Sequence, residues 1–111
     1  MNHLRSQVSR YNTTSLITMY IPCKTNINDM TKMISSEISK SQNIKSKQTR
    51  NGVKESLNSI LFNLKTMKAL PKNGLALFVG LTEEDSFITE FIEPNQPINK
   101  FMYKCDNKFH V

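Results

Sequence analysis

A helical apolar pattern that is interrupted once constrains the fold of this chain most strongly. The first part of the pattern comprises Ile27, Met30, Ile34 and Ile38, and the second part comprises Val53, Leu57, Ile60, Leu61, Leu64 and Met67. Apolar residues that recur every three or four positions form one buried face of a helix. The polar, basic stretch 39–46 separates the two parts. The pattern therefore predicts two antiparallel helices, with residues 41–46 at the tip of the hairpin.

Residues that cap and break helices flank this hairpin. Asn26 and Asn28 precede the first apolar stripe, and either side chain can cap the first helix. Residues 70–74 contain Pro71 and Gly74 and are expected to end the second helix.

Four short segments read as strands. Residues 15–21 precede the hairpin, and 75–81, 87–92 and 101–105 follow it, with an acidic turn at 82–85. The order β-α-α-β-β-β predicts an α+β fold: a small, mainly antiparallel four-stranded sheet packed against the long helical hairpin. At 111 residues the chain forms one domain, residues 1–111.

Composition excludes several classes of protein. No apolar run approaches the roughly 20 residues that a membrane span requires, and no secretory signal is recognisable at the start. The two cysteines, Cys23 and Cys105, have neither a disulfide framework nor a metal-binding spacing. We expect a soluble, intracellular monomer that binds no metal, no cofactor and no membrane.

Charge is distributed unevenly along the chain. Residues 1–72 carry twelve Lys or Arg against three acids, whereas 73–111 carry three Lys against six acids. Between Glu37 and Glu55 every charged residue is basic. A basic pole indicates a polyanionic partner such as a nucleic acid. The alternative is a solvated basic helix face without a partner.

Two motifs resemble the signatures of the eukaryotic and archaeal class-1 translation termination (peptide chain release) factors. The predicted tip reads Asn-Ile-Lys-Ser at 43–46, and the last predicted strand reads Tyr-Lys-Cys-Asp-Asn-Lys-Phe at 103–109. Their order and separation are those of the family's Asn-Ile-Lys-Ser and Tyr-x-Cys-x-x-x-Phe motifs. The resemblance covers nearly the whole chain and implies the amino-terminal, stop-codon-reading domain, acting in translation termination in the cytoplasm.

The resemblance implies a role for each matching residue. The codon-recognition residues that it assigns are Thr14, Glu37, Asn43, Ile44, Lys45, Ser46, Val53, Tyr103 and Cys105. Asn43 and Lys45 would read the first-position uridine, with Ile44 and Ser46 shaping the loop. Glu37 and Tyr103 would test the second and third bases for purine character. The basic residues placed to meet the RNA backbone are Lys40, Lys47 and Arg50.

Purely structural roles for the same residues stay open. Val53 and Cys105 would be read as core residues without the family, and Tyr103 as a half-buried strand tyrosine. Glu37 could pair with Lys40 or Lys32 on the surface of its helix. Phe109 is expected in the core under either interpretation.

The chain departs from the family at two places. Thr13 stands where the family usually has glycine, and 40–42 reads Lys-Ser-Gln instead of Thr-Ala-Ser. Gln42 can donate and accept hydrogen bonds, so it could redirect purine discrimination, whereas Lys40 would add codon-independent attraction to phosphate. These departures predict uneven reading of UAA, UAG and UGA; the alternative is neutral drift in a tolerant loop.

The expected partners are the mRNA stop codon and the ribosomal RNA of the small-subunit decoding centre. In the family, peptide release depends on a Gly-Gly-Gln loop in a middle domain, and a termination GTPase binds mainly through the carboxy-terminal part. No two glycines of this chain are adjacent. We therefore expect no catalysis by this chain. Two alternatives are a regulator that occupies the decoding site without causing release, and a small nuclease, for which a catalytic His beside paired carboxylates is missing.

Overall fold

The computed structural model describes residues 2–9, 14–84 and 86–111. Its elements are α1 (Asn2–Arg5), β1 (Leu16–Ile21), α2 (Ile27–Ser41), α3 (Lys47–Thr66), β2 (Leu75–Leu81), β3 (Phe87–Ile92) and β4 (Met102–Asp106). The predicted α+β fold and the predicted order of the two helices and four strands are confirmed. The short helix α1 was not predicted, because four residues carry no readable apolar period.

The four strands form one sheet in the order β3-β2-β1-β4, and all three pairings are antiparallel. The central strand β1 pairs with both β2 and β4. Ile17 of β1 lies opposite Val79 on one side and Cys105 on the other. The last strand of the chain is thereby placed next to the first, which brings residues about 90 positions apart in sequence into one site.

Side-chain caps set the starts of both long helices. The Asn26 side chain accepts a hydrogen bond from the backbone N–H of Asp29 at 3.2 Å, and the Ser46 side chain accepts one from that of Thr49 at 3.3 Å. Helix α3 begins six residues before Val53, because its first turn is polar and carries no apolar signal. It ends at Thr66, before the proline and glycine of 70–74, since Met67 is already extended with ψ at 138°.

Both faces of the sheet are covered. The helical hairpin packs on one face over a cluster that includes Ile17, Leu57 and Leu77. On the other face Phe78 packs edge-to-face against Tyr20 and Phe109, with ring centroids 6.0 and 5.8 Å apart. Phe109 is buried there, as predicted, and so is Leu4 of the unpredicted helix α1. Among the described residues, no helix combines the length and apolar character needed to cross a bilayer.

Helix α3 lies very close to the start of β1. A Cβ at Gly52 would lie 2.9 Å from the Cβ of Ser15, so only glycine fits there without displacing the strand. One turn later the Ser56 hydroxyl donates to the backbone carbonyl of Ser15 at 3.4 Å. This approach places Thr14 beside the first turns of α3 and next to β4.

Candidate nucleic-acid interface

A pocket of about 290 Å³ opens between the end of α2, the first turns of α3 and strand β4. Its lining residues are Thr14, Glu37, Lys40, Ser41, Ile44, Val53, Tyr103 and Cys105. Six of the nine residues predicted to recognise the codon therefore surround one cavity, together with Lys40, which was predicted to meet the RNA backbone. Asn43, Lys45 and Ser46 do not line the cavity. They are exposed on the loop beside it.

Tyr103 and Cys105 form the sheet-side wall of the pocket. They are two positions apart on β4, so both side chains lie on the helix-facing side of the sheet. The Tyr103 hydroxyl and the Cys105 thiol are 3.2 Å apart. Burial raises the pKa of both groups. Cys105 and then the Glu37 carboxylate raise the pKa of Tyr103 further, whereas the hydrogen bond with Tyr103 partly lowers the pKa of Cys105 and Glu37 raises it. This wall consequently presents a neutral phenol and a neutral thiol.

Glu37 and Lys40 form the rim of the pocket. The Lys40 ammonium lies 3.3 Å from the Glu37 carboxylate, three residues earlier on α2. The Lys40 side chain is 74% exposed, and that of Glu37 is 24% exposed. The surface ion pair of Glu37 with Lys40, which was the structural alternative, is present. The same Glu37 carboxylate also lines the cavity. Glu37 therefore lies where it can accept a hydrogen bond from a ligand while remaining beside a cation.

Backbone hydrogen bonds and one guanidinium hold the loop at the tip. The N–H groups of Asn43 and Ile44 donate to the carbonyls of Lys40 and Ser41, each at 3.1 Å. The Arg50 guanidinium donates to the carbonyl of Ile44 at 3.2 Å. These contacts fix the backbone, while the side chains of Asn43 and Lys45 are exposed.

The residues predicted to meet the RNA backbone differ in their surroundings. Lys47 is exposed at the start of α3, whereas Arg50 is half-buried and directed toward the loop. Lys40 is at the pocket rim and paired with Glu37. The predicted departure at Thr13 lies outside the described residues.

Ser41 lines the pocket and was not predicted as a site residue. Its side chain is buried and donates to the carbonyl of Ile38 at 2.6 Å. A serine at a helix end commonly makes this local bond, so the residue type carries no signal of a site. Within the described part of the chain, no group of His, Cys, Asp and Glu side chains is arranged to hold a metal ion.

Comparison with known proteins matches the sequence of this chain to one family. The family model described as eRF1 domain 1 matches residues 1–111. The peptide chain release factor subunit 1 of Archaeoglobus fulgidus is 42% identical over 101 residues, which cover 88% of this chain and 25% of that protein. The eukaryotic peptide chain release factor subunit 1 of Tetrahymena thermophila is 44% identical over 115 residues, which cover 100% of this chain and 26% of that protein.

Solved structures give the same result. The crystal structure of the archaeal translation termination factor aRF1 superposes with a TM-score of 0.88 at 32% identity, covering 98% of this chain and 30% of that chain. A structure described as an archaeal protein superposes with a TM-score of 0.94 at 31% identity, covering 98% of this chain and 31% of that chain. The chain spans about a quarter of the length of the curated relatives it matches. It belongs to the eRF1 domain 1 family, the amino-terminal domain of the archaeal and eukaryotic release factor 1 proteins.

Proposed function

We propose that this chain recognises stop codons in the ribosomal decoding site during translation termination. The observation that carries the proposal is the pocket between α2, α3 and β4, together with the exposed residues Asn43, Lys45 and Ser46 beside it. The relatives named as release factors support the termination role. The proposed ligand of the pocket and the adjacent loop is the stop codon.

The chemistry of the pocket suits an uncharged planar base. Its wall is a neutral phenol and thiol, and its rim offers the Glu37 carboxylate as an acceptor. A carboxylate accepts hydrogen bonds from exocyclic amino groups, which adenine carries and uracil lacks. At about 290 Å³ the cavity is just below the roughly 300–1,000 Å³ of most small-molecule pockets.

The loop suits the first base. The Lys45 ammonium can only donate, and the Asn43 amide can both donate and accept. Uracil presents carbonyl acceptors and one imino donor, so the pair of side chains complements it. Their exposure leaves them accessible to an RNA strand that lies along the tip.

The proposal assigns codon reading, and not peptide release, to this domain. Release would depend on the Gly-Gly-Gln loop of a further domain, and the termination GTPase would bind through further domains as well. The partners of this domain are then the mRNA stop codon and the ribosomal RNA of the decoding centre, and its place is the cytoplasm.

The test joins this chain to the remaining three quarters of an archaeal relative and measures release from ribosomes programmed with UAA, UAG, UGA or a sense codon. We expect release at one or more stop codons and background release at the sense codon. The chain alone should bind ribosomes, more weakly at high salt, without releasing peptide. Codon-independent release by the fusion, or release by the chain alone, would contradict the proposal. Binding without any release by the fusion would favour a regulator.

A further inference from the structure

A row of polar and basic side chains with one aromatic ring runs along the outer face of α3. The row consists of Lys47, Asn51, Lys54, Asn58, Phe62 and Lys65, and all six are exposed. Steps of three or four residues place them on one side of the helix, opposite the buried face that includes Leu57 and Leu64. We call this row the α3 stripe.

Phe62 is the unusual member of the stripe. It is 70% exposed, whereas the other exposed large apolar residues among those the structure describes, Phe87 and Phe101, are 36% and 39% exposed. Its neighbours one turn away are Asn58, Ser59, Lys65 and Thr66, so no apolar side chain of its own helix face covers the ring. A single exposed apolar residue is common on proteins. A ring that is 70% exposed within a row of hydrogen-bond donors is a different arrangement.

The charge of α3 favours a polyanion. The helix contains four basic residues and one acid, Glu55. In the described part of the chain, Lys47, Lys54 and Lys65 form no salt bridge with a carboxylate. The exposed amides of Asn51 and Asn58 add donors and acceptors that suit phosphate, ribose hydroxyls and base edges.

We propose that the α3 stripe is a second RNA-contact surface, on which Phe62 stacks against an unpaired base while the lysines contact the flanking phosphates. Aromatic stacking combined with a basic track is how proteins bind single-stranded RNA without reading its sequence. From Lys47 to Lys65 the stripe is about 27 Å long at 1.5 Å per residue. Since Lys47 directly follows the tip loop, one RNA surface would continue from the codon to the side of the domain. The stripe thus deepens the proposed function, because a domain in the decoding site is surrounded by ribosomal RNA.

The first test measures binding of the 111-residue chain to purified small ribosomal subunits without mRNA. Phe62→Ala should weaken binding about 5- to 150-fold, the range for loss of one stacked base, and Phe62→Tyr should bind like the parent. Phe87→Ala removes an exposed ring from β3 and serves as the matched control. Parental affinity of Phe62→Ala would overturn the proposal.

The second test addresses the charge and the identity of the partner. The double variant Lys54→Gln/Lys65→Gln should flatten the dependence of affinity on salt by about 1.4 in the log–log slope, whereas Lys32→Gln/Lys72→Gln should leave it unchanged. A photoreactive benzophenone side chain at position 62 should crosslink to ribosomal RNA. Crosslinking only to a ribosomal protein, or an unchanged slope in the first double variant, would overturn the assignment to RNA.

Codon reading can fail independently of this surface. Phe62→Ala in the fused factor should lower release on all stop codons by the same factor. If the fusion proves unable to distinguish stop from sense codons, the proposed function fails, while binding to vacant subunits still tests the stripe.

Discussion

The Lys40 ammonium lies 3.3 Å from the Glu37 carboxylate, at the rim of the pocket that both residues line. A surface pair of this kind, with one partner half-buried, contributes about 0–1 kcal/mol to stability. It does, however, place a cation beside the carboxylate proposed to test the second and third codon bases. Lys40 is a position at which the sequence was predicted to depart from the family's pattern, so we propose the pair as a physical route by which such a departure would change codon preference.

The first prediction concerns this pair. Lys40→Thr should favour adenine over guanine in the proposed readout, because Glu37 no longer shares its hydrogen-bonding capacity with an ammonium. The ratio of release at UAA to release at UGA should then rise about 1.5- to 5-fold, the range for a surface ion pair. The change should vanish in a Glu37→Gln background, and Lys32→Thr should have no effect. An equal effect of Lys40→Thr in both backgrounds would show that Lys40 acts only as codon-independent attraction.

A second prediction concerns the guanidinium that holds the tip. Arg50→Met retains most of the apolar stem but removes the donor to the Ile44 carbonyl. Loss of a charged donor costs about 1 kcal/mol or more, so amide exchange at 42–46 should become about fivefold faster. Lys47→Met removes an exposed neighbouring charge and is the control. Unchanged exchange in Arg50→Met would mean that the guanidinium does not restrain the loop.

Thiol reactivity provides a third prediction. Burial raises the pKa of Cys105 and outweighs the lowering effect of its hydrogen bond with Tyr103, so little reactive thiolate forms near pH 8. Cys23 is exposed. Iodoacetamide should modify Cys23 at least about tenfold faster than Cys105, as followed by peptide mass spectrometry. Cys23→Ser should abolish the fast phase. Equal rates at both thiols would contradict the burial of the Cys105 thiol in the wall of the pocket.

The fourth prediction uses the acid end of the pH range. Hydrogen bonds from the Asn107 N–H, and then from His110, hold the pKa of Asp106 below its ordinary value of 3.8. A lowered carboxyl pKa stabilises the fold above pH 3.8 and loses that contribution as pH falls through the folded-state pKa. Denaturant unfolding should therefore show Asp106→Asn less stable than the parent at pH 6. The difference should shrink by pH 2.5, and a constant difference would refute the linkage.

Local patterns predicted most of the fold. Strands β2 and β3 were predicted with the bounds observed, since each is a continuous β-rich run between turn residues. Helix α1 escaped prediction because Leu4 is buried by residues distant in sequence, such as Phe78 and Phe109. That burial depends on tertiary contacts, to which a four-residue segment gives no local clue.

The sequence selected the residues of the candidate site but could not predict their arrangement in space. The motif resemblance selected Thr14, Glu37 and Tyr103, which the fold brings around one pocket. Their proximity depends on the pairing of β1 with β4 and on the approach of α3 at Gly52, both of which are long-range. The contacts of Arg50 with Ile44 and of Ser41 with Ile38 are local, but the residue types alone do not predict which side chains turn toward the loop or line the pocket.

The central claim is that the exposed tip of this domain reads a stop codon, and Lys45→Ala in the fused factor tests it most directly. Lys45 is exposed on the loop and outside the core, so the variant should unfold at the parental temperature. Loss of one base or phosphate contact costs about 1–3 kcal/mol, which corresponds to a fall of about 5- to 150-fold in stop-codon-dependent release. Lys72→Ala, beyond the other end of α3, should release at the parental rate. Parental release by Lys45→Ala on every stop codon would contradict the account.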